Sequence, residues 1–254
     1  MIFNACFFVF LPIMMTKSRA IVLRTVKCGD DKMIVDMLTM SGGRVSFILR
    51  ISKTSKGRIK RQLFMPMTIL EVDFDFRQNL KLQHIRDVRL AVPLPSLAVN
   101  PYKISIVLFL SEVLSAATVD EHHNESLFSF VVDSLNVLDK MQSGFANFHL
   151  VFLCGLTAFI GFMPNTENYR DGDFFDLREG CFVSAQPVHG DALDAHDSRL
   201  MLSLLRVDYK SMRLFRMSHV DRNRCLDVLM NYYKLHIPSF PDIKSLDVLK
   251  QIYE

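Results

Sequence analysis

The sequence predicts an α+β protein in which a small N-terminal β-barrel is followed by an α-helical domain. Three observations favour this architecture. In the first third of the chain, apolar residues alternate with polar ones at a period of two. From residue 93 onward they recur at the helical period instead. Half of the 254 residues are hydrophobic, so the chain can bury a sizeable core in one large domain or two modest ones.

Residues 1–15 are almost wholly apolar and carry no charge, and Lys17 and Arg19 follow them. A signal peptide has its basic residues before its apolar core, and a membrane-spanning helix needs about 20 residues. We therefore interpret residues 1–15 as an apolar extension, either disordered or upstream of the natural start at Met14 or Met15. A membrane anchor is the alternative interpretation.

Five short strands are predicted after this extension. Two of them alternate cleanly: residues 45–51, which follow a hairpin signal at residues 41–43, and residues 68–76. In the second we expect Leu70, Val72, Phe74 and Phe76 to face the core. The other predicted strands are residues 19–26, 34–39 and 80–85. Five strands in about 75 residues are typical of an OB-fold barrel, which we place at residues 16–92.

The helical domain is predicted over residues 93–254. Residues 145–163 are apolar enough for a membrane span, but Asn147 and His149 interrupt them and Pro164 ends them. A central helix buried on all sides explains this stretch better. Ser218 and Asp221 resemble a capping box at a helix start. The later predicted helices are residues 197–205, 209–216, 220–235 and 244–253, and residues 168–196 form an irregular insertion.

A basic loop, residues 50–61, joins two of the predicted barrel strands. No acidic residue occurs between Asp36 and Glu71, whereas this interval contains seven cations. Because like charges repel, a polyanion that neutralises them and releases its own counterions is a favourable partner. The alternative is a solvated loop that is kept for solubility. The predicted DNA-binding residues are Arg44, Arg50, Lys53, Lys56, Arg58, Lys60 and Arg61.

A second basic group lies in the C-terminal half. Asp208, Asp221 and Asp227 dilute it, so an ordinary solvated helix face is the favoured interpretation. The group would otherwise extend a DNA track or contact an acidic protein partner. Its members are Arg206, Lys210, Arg213, Arg216, Arg222 and Arg224.

Catalytic and metal-binding motifs are not evident in the sequence. The five cysteines are scattered without a CxxC pair, which indicates a reducing cytosol rather than a disulfide framework. No P-loop motif occurs, and we find no nucleophile with a matching base. His122 and His123 are interpreted as an exposed loop, and His149 as a core histidine. We therefore expect a protein that is not an enzyme and uses no cofactor.

Several segments, in this order and spacing, resemble the RecO family of bacterial recombination mediators. No single segment is highly specific, but together they cover nearly everything from Thr16 onward, and the variant looks like that of the Bacteroidetes. The segments are RAIVLR (19–24), DDKMIV (30–35), GRVSF (43–47), KTSKGRIKRQLFMP (53–66), NFHL (147–150), FIGFMPN (159–165) and FDLREGCF (175–182).

The resemblance implies an OB-fold and a helical domain that bind single- and double-stranded DNA and anneal complementary strands without nucleotide. It also implies binding to the acidic tail of the single-stranded DNA-binding protein, action with RecR to load RecA, and a place at the nucleoid in the cytoplasm. Some members carry a four-cysteine zinc motif where this chain has residues 168–196. Here only Cys181 remains, with His189 and His196 distant in sequence. We therefore predict a degenerate, metal-free zinc-ribbon-like insertion.

Two functions are compatible with the sequence. The first is a DNA-binding mediator that uses the basic loop. The second is an adaptor whose helical domain binds an acidic peptide through charge-assisted hydrogen bonds, with DNA contact secondary. An enzyme has no constellation of residues in its favour.

Overall fold

The structure, a computed structural model, describes residues 14–50, 61–77 and 79–252. The chain divides into two compact units. The barrel unit comprises Met1–Pro93 with Glu121–His123, and the helical unit comprises Leu94–Asp120 with Asn124–Glu254. The positions of the predicted loop that lie outside the described residues are Lys53, Lys56, Arg58 and Lys60.

In the described ranges of the barrel unit, five strands close into a barrel in the order β1-β2-β3-β5-β4. Strands β3 and β5 pair in parallel, and all other neighbouring strands pair antiparallel. This arrangement confirms the predicted α+β class with an OB-like barrel. The strands are β1 (Met14–Cys28), β2 (Lys32–Thr39), β3 (Gly43–Arg50), β4 (Ile69–Phe76) and β5 (Gln83–Val92).

The alternating side chains of the strands fill the barrel core. Phe47 and Phe74 meet edge to face there, with ring centroids 5.0 Å apart. Two expectations were wrong. Phe76 is 39% exposed, because it ends β4 at the barrel rim. Strand β5 begins at Gln83 and runs to Val92, because the chain between β4 and β5 forms a turn where the last strand was predicted to begin.

A β-bulge in β1 changes which residues face outward. The register shifts between Val22 and Arg24, so Leu23 is the extra residue. Before the bulge, Ala20 and Val22 lie in the barrel core, whereas after it Arg24 and Val26 are exposed. A bulge re-aims the side chains that follow it.

The described part of the helical unit contains seven helices. The fourth, α4, is buried along most of its length, as predicted for a central helix, and Leu150, Phe152 and Leu156 are fully buried. Among the described residues, no helix is long and apolar enough to cross a membrane. The helices are α1 (Pro95–Val99), α2 (Pro101–Ala117), α3 (Glu125–Lys140), α4 (Phe148–Phe159), α5 (Ala195–Leu205), α6 (His219–His236) and α7 (Leu246–Ile252).

Some of the sequence predictions for the helical unit were correct and others were wrong. The Ser218 hydroxyl caps α6 by accepting the backbone N–H of Asp221 at 3.0 Å, as predicted. The helix predicted at residues 209–216 is wrong, because Met212 makes one helical turn back to Asp208 and the chain then leaves it. The insertion is more regular than expected and forms a sheet in the order β7-β6-β8. Its strands are β6 (Phe174–Asp176), β7 (Cys181–Val183) and β8 (Ala192–Leu193).

Candidate nucleic-acid interface

Three aliphatic side chains and one imidazole form a row across the outside of the barrel. Val26 lies opposite Ile34, Ile34 lies opposite Ile48, and Ile48 lies beside His84. These side chains point outward, because the residues next to Ile34 and Ile48 along their strands are buried in the barrel core. We call Val26, Ile34, Ile48 and His84 the outer row.

Cations border the outer row on the side where β2 begins and β3 ends. Lys32 and Arg50 are exposed and lie opposite each other. The Arg50 guanidinium also forms an ion pair with Asp31 at 3.1 Å. Arg50 is largely exposed to solvent and Asp31 is partly exposed, so the pair is weak and Arg50 can exchange Asp31 for a phosphate.

Arg44 is less available than the sequence indicated. Its guanidinium lies 3.1 Å from the carboxylate of Asp36, which also accepts a 2.5 Å hydrogen bond from Ser46. Arg44 and Arg50 therefore each have an acidic partner, although no acidic residue occurs between Asp36 and Glu71 in the sequence. Their acidic partners precede the basic interval in sequence, and the β2–β3 hairpin folds them back beside it.

The basic loop begins and ends at fixed points of the barrel unit. Arg50 ends β3, and Arg61 begins a 3₁₀ turn, Arg61–Phe64. Phe64 is buried in the barrel core and holds this turn in place. Arg61 is exposed, and it forms no ion pair with any residue that the structure describes.

The β4–β5 turn adds two cations that are not among the predicted DNA-binding residues. Arg77 and Lys81 are exposed in this turn. The buried amide of Gln83 organises it, since its oxygen accepts the N–H of Arg77 at 2.9 Å and its nitrogen donates to the carbonyls of Arg77 and Leu80. Gln83 lies beside Phe47 of β3, so the turn adjoins the strand that leads into the basic loop. The feature of the sequence that could have indicated this ordered turn is Gln83, a polar residue at a core-facing position of β5.

On the outward face around β4, cations pair with carboxylates across neighbouring strands. Glu71 of β4 accepts from Lys17 at 3.1 Å and from Arg89 at 2.7 Å, and these two cations lower the pKa of its carboxyl to about 2. Arg86 pairs with Asp75 in the same way. Cations that already have cross-strand carboxylate partners contribute little to the attraction of a polyanion.

Charge is distributed unequally between the two units. The barrel unit has 16 Lys and Arg against 8 Asp and Glu, a net charge of +8. The helical unit has 14 against 19, a net charge of −5. The modest +3 of the whole chain therefore conceals a strongly basic barrel unit.

In the acidic helical unit, four cations are concentrated on one exposed segment between α5 and α6. None of them forms an ion pair with a residue in the described ranges. Leu214 is 78% exposed among them. We call residues 206–216 the basic segment, and its four exposed cations are Arg206, Lys210, Arg213 and Arg216.

Side chains on the inner side hold the basic segment in place. The Tyr209 ring stacks on Phe148 with centroids 4.9 Å apart, and its hydroxyl donates to Ser134 at 2.8 Å. Met212 is buried. Hydrogen bonds from Ser211 hold the pKa of the Asp208 carboxyl below its usual range.

The two other cations of the predicted second group have different roles. Arg222 is half-buried, and its Nε donates to Asn147 at 2.9 Å while Asn147 donates to the carbonyl of Phe215. Arg222 therefore supports the basic segment from within. Arg224 forms an ion pair with Asp197.

A single carboxylate organises the insertion. One oxygen of Asp176 accepts the backbone N–H groups of Arg178 at 2.8 Å and Glu179 at 3.2 Å. Its other oxygen lies 3.2 Å from Nε2 of His189, which comes from the opposite side of the insertion. Arg178 also forms an ion pair with Asp191 at 2.6 Å. These contacts join the β6–β7 turn to the segment before β8.

The donor set of the insertion does not fit a structural zinc site. Such a site needs four sulfur or nitrogen ligands, whereas residues 168–196 contain one cysteine and two histidines. Within the described ranges, the ligand atoms that do cluster belong to Asp194, His196 and Asp197. Asp194 caps α5, and Asp197 is paired with Arg224. Both carboxylates therefore have structural roles.

The buried titratable groups of the helical unit serve packing rather than chemistry. Burial lowers the pKa of His149 to about 3, so its imidazole is neutral at physiological pH. Burial also raises the pKa of the Cys154 thiol well above its usual value, and that of Cys225 to about 12. A buried thiol with a raised pKa is a poor nucleophile. The predicted loop at His122 and His123 is exposed, as expected.

Comparison with known proteins places the whole described chain in one family. A family model described as "Recombination protein O N terminal" matches residues 14–93, and "Recombination protein O C terminal" matches residues 99–247. A protein named DNA repair protein RecO from Phocaeicola vulgatus is 41% identical over 240 residues, which cover 94% of this chain and 100% of that protein. Proteins of the same name from Bacteroides fragilis and Flavobacterium psychrophilum are 38% and 32% identical over 242 residues, covering 95% and 94% of this chain and 100% of each relative. This chain therefore belongs to the RecO family of DNA repair and recombination proteins.

Proposed function

We propose that this chain is a recombination mediator without catalytic chemistry of its own. It binds single- and double-stranded DNA, anneals complementary strands, and acts with RecR to load RecA on DNA covered by the single-stranded DNA-binding protein. The observation that carries the DNA-binding part is the net charge of +8 on the barrel unit, which contains the basic loop and the cations around the outer row. The partner proteins follow from membership of the RecO family.

The DNA contact is formed by the basic loop together with nearby barrel cations. Lys32, Arg77 and Lys81 are exposed, and they are added to the residues that the sequence predicted. Among the seven predicted DNA-binding residues, Arg44 is the least available to a phosphate, because its guanidinium forms an ion pair with Asp36. Phosphate contacts of this kind carry little sequence preference, which suits a protein that anneals arbitrary strands.

The first experiment removes four loop cations, Lys56, Arg58, Lys60 and Arg61, by substitution with Ala in the full chain. Single-stranded DNA affinity and strand annealing are measured at several salt concentrations. We expect the slope of log affinity against log salt to flatten by about 3, since each lost contact contributes about 0.7 for a single strand. Annealing should slow in parallel.

The matched control removes four exposed cations of the helical unit, Lys140, Arg170, Lys234 and Lys244. It changes the net charge by the same amount but leaves the barrel intact, so its salt slope should remain that of the unchanged protein. If both variants lose the same slope, the attraction is a general effect of net charge and the loop has no special role.

We further propose that the basic segment of the helical unit receives the acidic tail of the single-stranded DNA-binding protein. Four cations without acidic partners in the described residues, arranged around the exposed Leu214, offer both charge and an apolar contact to an acidic peptide. This proposal also contains the adaptor function, as a second activity of the same chain.

Substitution of Arg206, Lys210, Arg213 and Arg216 with Ala separates the two possible ligands of this segment. We expect binding of an acidic tail peptide to fall at least about tenfold, which corresponds to about 1.4 kcal/mol, while DNA affinity stays within about twofold. Loss of DNA affinity with unchanged peptide binding would instead make the segment part of the DNA track.

A further inference from the structure

The outer row places aliphatic side chains where a barrel strand normally carries polar ones. On a sheet with one face on the core and one face toward water, outward positions are usually polar. Yet Ile34 and Ile48 lie outward in the middle of β2 and β3, in register with Val26, which is 38% exposed. Neighbouring strands are about 4.8 Å apart, so the four residues span a strip of roughly 14 Å.

The strip is bordered by positive charge on both sides. Lys32 and Arg50 lie opposite each other one row away, at the end of the barrel where the basic loop starts. On the other side Arg24 lies opposite Asp36, whose carboxylate is already engaged by Arg44 and Ser46. An apolar strip with Lys32 and Arg50 on one side and Arg24 on the other matches a ligand with a flat, weakly polar part and a chain of anions.

We propose that the outer row contacts the bases of an unpaired DNA strand while the flanking cations hold its phosphates. This inference rests on the proposed DNA-binding function and adds the form of DNA that the barrel face selects. In a duplex the base faces are stacked inside the helix, so the strip contacts them only in a single strand. Phosphates are available in both forms, and the cations therefore do not discriminate between them.

Separate contacts for the bases and for the phosphates are also compatible with strand annealing. The row holds base faces by aliphatic contact and leaves the hydrogen-bonding edges of the bases to a complementary strand. Once the strands pair, the base faces stack on one another and the contact with Val26, Ile34 and Ile48 is lost. The product duplex then keeps only its phosphate contacts with the barrel.

The test compares three probes of about 20 nucleotides at one salt concentration: a dT oligonucleotide, an abasic deoxyribose-phosphate chain of the same length, and a duplex. We expect the unchanged protein to bind the dT strand about tenfold more tightly than the abasic chain. Equal affinity for these two probes overturns the proposal. If none of the three probes binds, the proposed DNA-binding function itself fails.

The double variant Ile34→Thr, Ile48→Thr keeps β-branched side chains and therefore the strand preference. We expect it to bind the dT strand about fivefold to tenfold more weakly, with an unchanged salt slope and unchanged affinity for the abasic chain and the duplex. The matched control Met15→Thr, Leu90→Thr alters two exposed apolar residues of the barrel outside the row and should bind like the unchanged protein. An equal loss for all three probes, or no loss for any, contradicts a base contact.

Discussion

The carbonyl oxygen of His122 lies so close to Gly43 that a Cβ atom at this position would stand 2.1 Å from it. Gly43 begins β3 with a positive φ of 67°, and the N–H of the next residue, Arg44, donates to the carbonyl of Glu121 at 3.1 Å. The short segment Glu121–His123 is thus seated on the β2–β3 hairpin of the barrel unit by a contact that requires glycine.

We therefore expect Gly43→Ala to destabilise the protein strongly. The left-handed backbone alone costs about 1–2 kcal/mol with a Cβ atom, and the clash with His122 adds to this. The control is Gly42→Ala, whose Cβ would meet Thr39 at an ordinary 3.5 Å. Chemical denaturation followed by circular dichroism should show a loss above about 2 kcal/mol for Gly43→Ala and under about 1 kcal/mol for the control. Equal losses would contradict the assigned contact.

His149 should make the stability of the protein depend on pH. Burial lowers the pKa of its imidazole from 6.5 to about 3 in the folded state, so the unfolded chain binds a proton in that window and the folded chain does not. Stability should therefore fall as the pH drops below 6.5, by about 1.4 kcal/mol per pH unit. The variant His149→Phe should show a shallower decline between pH 6.5 and 5.

The control for this experiment is His123→Gln, which changes an exposed histidine. Its stability should follow the same pH dependence as the unchanged protein. The assignment to His149 is wrong if the Phe variant declines as steeply as the unchanged protein over the same pH range.

The insertion should fold without metal. Its donor set lacks four sulfur or nitrogen ligands, and Asp176 holds the β6–β7 turn through two backbone N–H groups and His189. Metal analysis of the purified protein should find no stoichiometric zinc, and a chelator should leave the melting temperature unchanged. Zinc at one equivalent, or a lower melting temperature with chelator, would show that the insertion binds a metal after all.

Removal of the Asp176 carboxylate should destabilise the protein, because this group holds the β6–β7 turn. Asp176→Ala leaves two N–H groups of the turn without their charged acceptor, which costs about 2–3 kcal/mol. Glu179→Ala, an exposed substitution in the same turn, should change the free energy of unfolding by less than about 0.5 kcal/mol. Thermal unfolding of both variants measures the difference, and similar values would argue against a special role for Asp176.

The buried Lys103 should be one of the most sensitive positions of the helical unit. Its ammonium donates to Ser96 at 2.6 Å and to the carbonyls of Asp139 and Met141 at 3.0 and 2.6 Å, and burial lowers its pKa. Lys103→Met removes the donor that satisfies the end of α3, so we expect a loss of about 2–4 kcal/mol.

Lys140→Met is the matched control for Lys103→Met. Lys140 is an exposed lysine at the end of α3, the helix whose end Lys103 satisfies. It should cost less than about 0.5 kcal/mol in a denaturation experiment. If Lys103→Met is as mild as the control, the three hydrogen bonds contribute little to stability.

Local patterns predicted most of the strands and helices. Strand β4 and the Ser218 cap of α6 were predicted correctly, because alternation and capping depend on residues close in sequence. The helix expected at residues 209–216 does not form, since Tyr209 stacks on Phe148 of α4 and Asn147 donates to the carbonyl of Phe215. Those contacts are distant in sequence, and the local period does not contain them.

The sequence by itself determined that this protein has an OB-like barrel followed by helices, and that one interval of the barrel is rich in cations. Both are properties of neighbouring residues. Only the tertiary structure decided which cations are engaged, because Asp36 reaches Arg44 across a hairpin, and which residues form the outer row. That row takes one residue from each of four strands, so no stretch of sequence shows it, and pairing of the strands alone brings Val26, Ile34, Ile48 and His84 together.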